Sequence, residues 1–587
     1  MRVVLVAVMV TAFACVLFAQ QVSPLIAPDA VYYNGKIVTV DEAFTIAEAV
    51  AVKQGRFVGI GSDAEIRALA GPETQLVDLG GQTVIPGLGD NHNHMIWYAM
   101  RMYSGIELVD VPSLAALKDR IRQAASRARP GETVVANAGW DARTFPEGRE
   151  PSRQDLDEVS PNNPVMLFTN GRSNAWLNSA ALRMLGLDRN SKSLGGFPLP
   201  RDASGELTGY TNGTESVLAA YNTLVPELPM DKQIEGLQRA QAEMHALGLT
   251  NIRELTVPVA GANGRPTNVK NGAYGMRTYM EMHRRGQLTL RVGMGLAVDT
   301  GLVDGTERVQ LEDILAHWPM SVGFGDDRLY FDGSIAELQV TTQRMGGLNR
   351  DPFPAGSDNI VFEVMKWPMP DAMQIVTDAQ GHVYGSQRLP TDQYIEVVKM
   401  INRYGWRPGF HATGTAALEL YLKGYEAANE EDSINGKRWV SEHTGGGTAE
   451  ETERLIQLGM VASLQRQNQQ LRRMIDQGLT VTLGSDGPRS PGNPADNPIV
   501  NMALHVTHKD PLHRITREDA LRLSTRNNAY MMFRENEFGA IEAGKLADFV
   551  ILSADFMTVP DDQLAGIVPL ATFVAGERVY ARPGGGF

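Results

Sequence analysis

Thr391-Asp-Gln-Tyr-Ile-Glu-Val-Val-Lys-Met-Ile-Asn-Arg-Tyr404, followed closely by Arg407-Pro-Gly-Phe-His411, is the stretch on which the architecture turns. The first segment reads as a helix, the second as a short strand ending on a histidine. The unit then repeats. Ala416 to Ala428 is a helix candidate before Arg438 to His443, Glu450 to Leu458 precedes Val461 to Leu464, and Leu471 to Gln477 precedes Leu479-Thr-Val-Thr-Leu483. Upstream, Asp231 to Leu247 puts Ile234, Leu237 and Met244 on one helical face, stops at Gly248 and runs into the strand Thr250-Asn-Ile-Arg253. Thr516, with Asp519 three residues on, caps a further helix through Arg526. Helix-then-strand units in series imply parallel strands. The length suits a closed (β/α)8 TIM-type barrel with large loop insertions, and a doubly wound open sheet is the alternative.

The two ends read differently. Ala30 to Asp41 is a strand, a Gly-centred turn and a second strand, and Ile46 to Ile60 repeats the style around Gly55. Leu546 to Leu552 and Leu570 to Tyr580 are again β-branched apolar runs, the second broken at Gly576. These segments predict one small discontinuous β domain, residues 20–85 with 540–587, around a barrel domain of residues 86–539. Before them, Arg2 and the apolar run Val3 to Phe18 match a secretory signal peptide over residues 1–19, with a retained N-terminal anchor as the alternative. The expected location is therefore periplasmic or secreted.

Cys15 is the only cysteine, so an exported mature chain has none, and neither disulfides nor thiolate ligands are available. Any metal must be held by nitrogen and oxygen. The net charge of -14, with no basic run, excludes the dense cationic surface that nucleic acid demands. The expected partner is a small-molecule substrate. A second copy of the chain is left open, and no stable membrane span is expected once the leader is gone.

Eleven histidines can be placed one by one. His92 and His94 lie in Val84-Ile-Pro-Gly-Leu-Gly-Asp-Asn-His-Asn-His-Met95, where an i, i+2 pair on an extended segment puts both imidazoles on one face, about 7 Å apart. A surface pair is the alternative for these two alone. His411 ends one strand candidate, His443 ends Trp439-Val-Ser-Glu-His443, and Asp486 ends Val481-Thr-Leu-Gly-Ser-Asp486. Each is a metal-competent side chain at the C-terminal end of a strand, which in a parallel barrel is the end that carries active sites. His245 and His283 fall in helical patterns, and His317 and His382 in loop-like text. His505, His508 and His513 cluster in a polar stretch that reads as a solvated loop, with contact at the barrel mouth as the other option.

Imidazole and carboxylate donors suit zinc, with iron or manganese as neighbours in preference. Asp486 is the candidate general base as well as a ligand. His443 is the candidate to steady a carbonyl oxygen or protonate a leaving group. No Gly-x-Ser-x-Gly elbow points to serine chemistry.

Several stretches resemble the amidohydrolase superfamily, and in detail amidohydrolase family 3, the YtcJ-like group. They are Val84-Ile-Pro-Gly-Leu with Asp90-x-His-x-His94, Gly139-Trp-Asp141, Phe145-Pro-Glu-Gly148, Ala175-Trp-Leu-Asn-Ser179, Asp332-Gly-Ser334, Leu483-Gly-Ser-Asp-Gly-Pro488 and Gly544-Lys-Leu-Ala-Asp548. The resemblance spans Val31 to Tyr580. It implies a metal-binding (β/α) barrel flanked by a β-sandwich from both termini, and hydrolysis of amide-like C–N bonds other than peptide bonds. It also implies His92 and His94 as first-strand ligands, His411 and His443 as fifth- and sixth-strand ligands, and Asp486 as the eighth-strand carboxylate.

Two departures from the family pattern stand out. Arg328 in Arg328-Leu-Tyr-Phe-Asp-Gly333 replaces a lysine able to form a bridging carbamate, which arginine cannot do. That favours one metal, held by His92, His94, His411 and Asp486 with His443 outside the ligand set. Arg328 is left to bind a substrate carboxylate or to form a salt bridge. Asn170-Gly-Arg-Ser-Asn174 lacks the family's histidine. The inserts Met95 to Pro229 and Gln343 to Pro390 are expected to form a cap that sets specificity. Esterase, lactonase or deaminase chemistry on the same fold, or a binding protein that has lost catalysis, are the alternatives.

Overall fold

The computed structural model describes residues 27–587 apart from 97, 100–104, 138, 170–173, 195–196, 213, 227, 259–273, 298–307, 339–346, 354–373, 388, 445–446, 466–467 and 488–495. The proposed leader, residues 170–173 and much of the second insert lie outside the described residues.

Eight strands form one parallel sheet: β1 (Leu88–Asn93), β2 (Leu249–Pro258), β3 (Arg291–Ala297), β4 (Leu329–Leu338), β5 (Arg407–His411), β6 (Val440–Glu442), β7 (Val461–Leu464) and β8 (Thr480–Leu483). Each pairs with its neighbour in chain order, the (β/α)8 arrangement expected. The ring is drawn together where Asn93 bridges Gly487. There the Asp486 N–H donates to His92 O at 2.8 Å, and the His94 N–H donates to Gly487 O at 2.7 Å. Strands β5, β6 and β7 are buried throughout, which is why they read as apolar runs and not as alternating ones.

The helices Thr391–Arg403, Ala417–Glu431, Ala449–Gln457 and Leu471–Asp476 sit where the pattern puts them, within a residue or so at most ends. The capping box of Thr516 and Asp519 is present. The helix it opens runs only over Arg517–Ser524. Thr525 leaves helical geometry at φ -132° and ψ -85°, and the chain restarts as Arg526–Met531. The strand expected over Arg438 to His443 is shorter too, because Arg438 (φ 47°) and His443 (φ 55°) both take left-handed backbone that no ladder tolerates.

Both termini combine in two sheets, as the resemblance implies. One has six strands and runs from Glu577–Ala581 through Pro569–Val574, Phe549–Leu552, Thr83–Pro86 and Lys36–Val38 to Ile46–Ala47. The other has four, Arg56–Gly61, Ala49–Lys53, Ala30–Tyr33 and Gln75–Asp78. Their shared core stacks Phe549 on Phe573 at 4.3 Å between centroids, with Tyr32 edge-on to Phe549 at 5.0 Å. Between β1 and β2 the insert folds around its own five-stranded sheet and a core that includes Leu117, Ile121, Trp140 and Leu156.

A buried ion pair ties the sandwich to the N-terminal end of the barrel. Arg291 opens β3, and its Nε and Nη2 donate to both oxygens of Asp548 at 2.6 and 2.8 Å. This explains the Gly544-to-Asp548 stretch in structural terms. Asp548→Ala leaves Arg291 with the half-exposed Asp327 as its only carboxylate and takes the acceptor from the Ala575 N–H. It is expected to cost about 1–3 kcal/mol, read as a lowered urea midpoint. A midpoint unmoved by Asp548→Ala would remove this pair from the domain junction.

Candidate metal centre

The side chains named from the sequence converge at the C-terminal ends of β1, β5, β6 and β8. His92, His411 and His443 form one group whose ligand atoms lie within 4.8 Å of one another, and His92, His94 and Asp486 form a second within the same limit. His92 belongs to both. Its ring centroid lies 5.2 Å from that of His94, 5.4 Å from His411 and 4.7 Å from His443, and His411 and His443 are 4.5 Å apart. Asp486 Oδ1 is 3.2 Å from His94 Nε2 and 3.8 Å from His92 Nε2. His443 thus stands inside the donor cluster rather than behind it.

The backbone is bent to achieve this. His443 at φ 55° and Asp486 at φ 53° are both non-glycine residues in the left-handed region, a strained geometry that turns each side chain inward off its strand end. Gly484 lets β8 pass β1 closely: a Cβ there would lie 2.4 Å from Asn91 Oδ1 and 2.9 Å from the His92 nitrogen. Asp90 holds the same junction, accepting from the His92 N–H at 3.1 Å, the Ser485 N–H at 2.9 Å and the Ser485 hydroxyl at 2.6 Å.

Beneath the cluster lies a buried chain of charges. His92 Nδ1 meets Glu442 Oε2 at 2.8 Å, and Arg253 Nη1 donates to Glu442 Oε1. Arg253 Nε then donates to Asp332 Oδ2 at 2.5 Å, and Arg407 Nη2 donates to the same oxygen at 3.2 Å. Burial pushes Glu442 up, but Arg253 and His92 outweigh it and hold the carboxyl well below its usual range. Burial also works against Asp332, yet Arg253 and Arg407 hold it low. Burial brings Arg407 down to about 10. Burial likewise pushes the His92 imidazole down, aided by His94 and His411 and opposed by Glu442. An ionised Glu442 can only accept, so His92 carries its proton on Nδ1 and turns Nε2 toward the donor cluster.

None of Glu442, Arg253, Asp332 or Arg407 is assigned a role by the sequence reading. The available signal was a charged residue inside an otherwise apolar strand, as in Trp439-Val-Ser-Glu-His443.

Arg328 does not reach the site. It precedes β4 at the N-terminal end of the barrel, where Nη1 donates to Thr289 O at 2.5 Å. Its charge faces Arg291, Asp548, Asp327 and Glu577, and burial lowers its pKa. Asp332 is already four residues, about 13 Å of strand, nearer the site. A lysine at position 328 would be at the wrong end to bridge metals, so the argument from Arg328 to one ion loses its basis. So do its reading as a substrate contact and its support for a binding protein without catalysis.

His245 Nδ1 meets Leu249 O at 2.9 Å, while His283 and His382 pair with Asp326 and Asp378, each at 2.7 Å. His508 and His513 stack edge-on at the surface. His505 departs from the expected solvated loop: it lies in the helix Pro498–Val506, fully buried, with no hydrogen-bond partner among the described residues for either ring nitrogen.

The donor set of imidazoles and one carboxylate, backed by a carboxylate on His92, fits a divalent ion of the zinc type. The amidohydrolase family model matches residues 75–580. Over 95% of its length this chain is 26% identical to the N-substituted formamide deformylase of Arthrobacter pascens, covering 99% of that protein. It is 24% identical to the putative amidohydrolase YtcJ of Bacillus subtilis, over 94% of this chain and 99% of that one. A solved metal-dependent hydrolase of uncharacterized role from Pyrococcus furiosus superposes with a TM-score of 0.63 at 21% identity, over 90% of this chain and 100% of that one.

Glu442→Gln keeps the shape but frees the His92 ring to flip tautomer. It is expected to weaken metal retention about 10–100-fold in chelator competition; unchanged retention would remove Glu442 from the centre. Burial holds the His505 imidazole down to about 4 against an ordinary value of 6.5. Between those pH values the unfolded chain takes up a proton that the folded chain refuses, so stability falls as pH drops from 6.5 toward 4. His505→Met is expected to raise Tm, and more at pH 5 than at pH 8. An equal shift at both would contradict the neutral buried ring.

Proposed function

This chain belongs to the amidohydrolase family, and on that premise we propose that it hydrolyses amide-type bonds other than peptide bonds in small molecules, using one zinc ion held by His92, His94, His411 and Asp486 with His443 beside them. The carrying observation is the shared histidine. With Nδ1 engaged by Glu442, His92 offers a single nitrogen to both donor groups, and one lone pair serves one cation. Iron or manganese would suit the same donors. The chemistry such an ion supplies is Lewis acidity toward the scissile carbonyl and toward water. Asp486, turned into the site by its left-handed backbone, takes the proton of the attacking water and returns it to the departing nitrogen. His443 faces the same space from the end of β6 and steadies the carbonyl oxygen.

The similarity to an N-substituted formamide deformylase makes short-acyl secondary amides the first substrates to assay. Export is part of the proposal and rests on Val3 to Phe18 behind Arg2. Among the described residues no helix is long and apolar enough to cross a membrane.

Elemental analysis should return about one equivalent of zinc, and two tightly bound equivalents would overturn the single-ion reading. Asp486→Asn is expected to lower kcat by about 10²–10⁴-fold with the fold intact. Retention of near wild-type turnover would take Asp486 out of the mechanism. Cell fractionation should find the protein beyond the cytoplasm; cytoplasmic protein with Met1 intact would end the export claim.

A further inference from the structure

Gln465 follows β7 directly and is used by nothing described so far. Gly484 N–H donates to Leu464 O at 2.9 Å, which sets Gln465 beside the end of β8, close in chain to Asp486. On its other side β7 runs in register with β6, Ser463 opposite Glu442, so His443 and Thr444 lie alongside Leu464 and Gln465. Asn468 Nδ2 donates to Thr444 O at 3.1 Å. Gln465 therefore stands between the strand ends that carry His443 and Asp486.

Its side chain points into the barrel. Ser463 on β7 donates to Asn91 Oδ1 on β1 at 3.0 Å, reaching past β8, which only the interior permits. Gln465 Nε2 donates to the Ser463 hydroxyl oxygen at 2.5 Å, one pleat nearer the metal centre. The direction of this chain is set from below. Asn91 Nδ2 donates to Thr482 Oγ1, and Thr482 Oγ1 donates to Ala462 O at 3.3 Å. A backbone carbonyl can only accept, so each amide and hydroxyl above it is turned one way, and the last member presents Oε1. Gln465 is 3% exposed, and among the described residues no group donates to that oxygen. Buried carboxamide oxygens are normally satisfied.

We propose that Gln465 Oε1 accepts the N–H on the scissile nitrogen of the substrate, so that the site selects secondary amides over tertiary amides and esters. This rests on the reading of the protein as an amide-type hydrolase. Water adds to the carbonyl, the C–N bond breaks, and the nitrogen leaves as an amine bearing the water's proton. Gln465 is unchanged throughout and fixes the nitrogen's orientation. An ester offers no N–H and leaves the buried oxygen unsatisfied, the circumstance in which a polar site discriminates strongly.

The test compares a secondary amide, its N-methyl homologue and the matching ester, in the wild type and in Gln465→Leu. The ratio of kcat/KM for secondary amide over ester should fall by about one to two orders of magnitude in the variant, which cancels intrinsic reactivity. In the Asp486→Asn background, calorimetry should show the secondary amide binding more tightly than its N-methyl homologue, and Gln465→Leu should erase that preference. A wild type that turns over all three with no amide preference, or a ratio unmoved by Gln465→Leu at unchanged metal content, overturns the proposal while the hydrolase reading stands. No turnover of any amide by the wild type overturns both.

Discussion

The contact between Glu442 and His92 is the interaction on which the rest of the site depends. A carboxylate on a fully buried strand is costly unless its charge is met. Arg253 meets it, and Arg253 in turn is shared with Asp332, which Arg407 also holds. Two cations and two anions lie in one buried layer across β2, β4, β5 and β6, so the layer carries no net charge. It thereby presents a fixed acceptor to the first-strand histidine without attracting a counter-ion of its own. Without Arg253 the burial of Glu442 would favour its protonated form, and a neutral carboxyl no longer dictates which nitrogen of His92 carries the proton.

Above that layer, the ring's closure and its chemistry are the same contacts. The Asp486 N–H bonds to His92 O and the His94 N–H bonds to Gly487 O. The residues that bring β8 against β1 are therefore the ones whose side chains make up one donor group. Asp90, bonded to both Ser485 and His92, and Gly484, with no room for a side chain, enforce the approach. The left-handed backbone of His443 and Asp486 is strain that such over-determination can hold in place.

Much of this was legible in the order of residues, because a parallel barrel writes itself as apolar runs separated by helices, and its working end as polar residues at the ends of those runs. His411, His443 and Asp486 each carried that signature, and the i, i+2 spacing of His92 and His94 carried the other two donors. Glu442 and Arg253 were not legible, since their partners are 350 and 189 residues away along the chain, and separation in sequence says nothing about which charges share a layer. The break at Thr525 and the shortening of β6 were missed for another reason: both come from single backbone angles that residue type only weakly biases.

Arg328 shows how position along a strand decides meaning. Arginine in place of lysine invites a chemical explanation, and at the C-terminal end of β4 that explanation would hold. At the N-terminal end the same side chain meets Thr289 O and the charges of Asp548 and Asp327, where the sandwich docks. In this barrel the charged layer of Arg253, Asp332, Arg407 and Glu442 divides the interior. Residues on the sandwich side answer to stability, and residues above it answer to chemistry. By the same rule Gln465, on the chemical side of the layer and joined through Ser463 to Asn91, whose carbonyl accepts from Arg253 Nη1 at 3.4 Å, is read as belonging to the reaction rather than to the core.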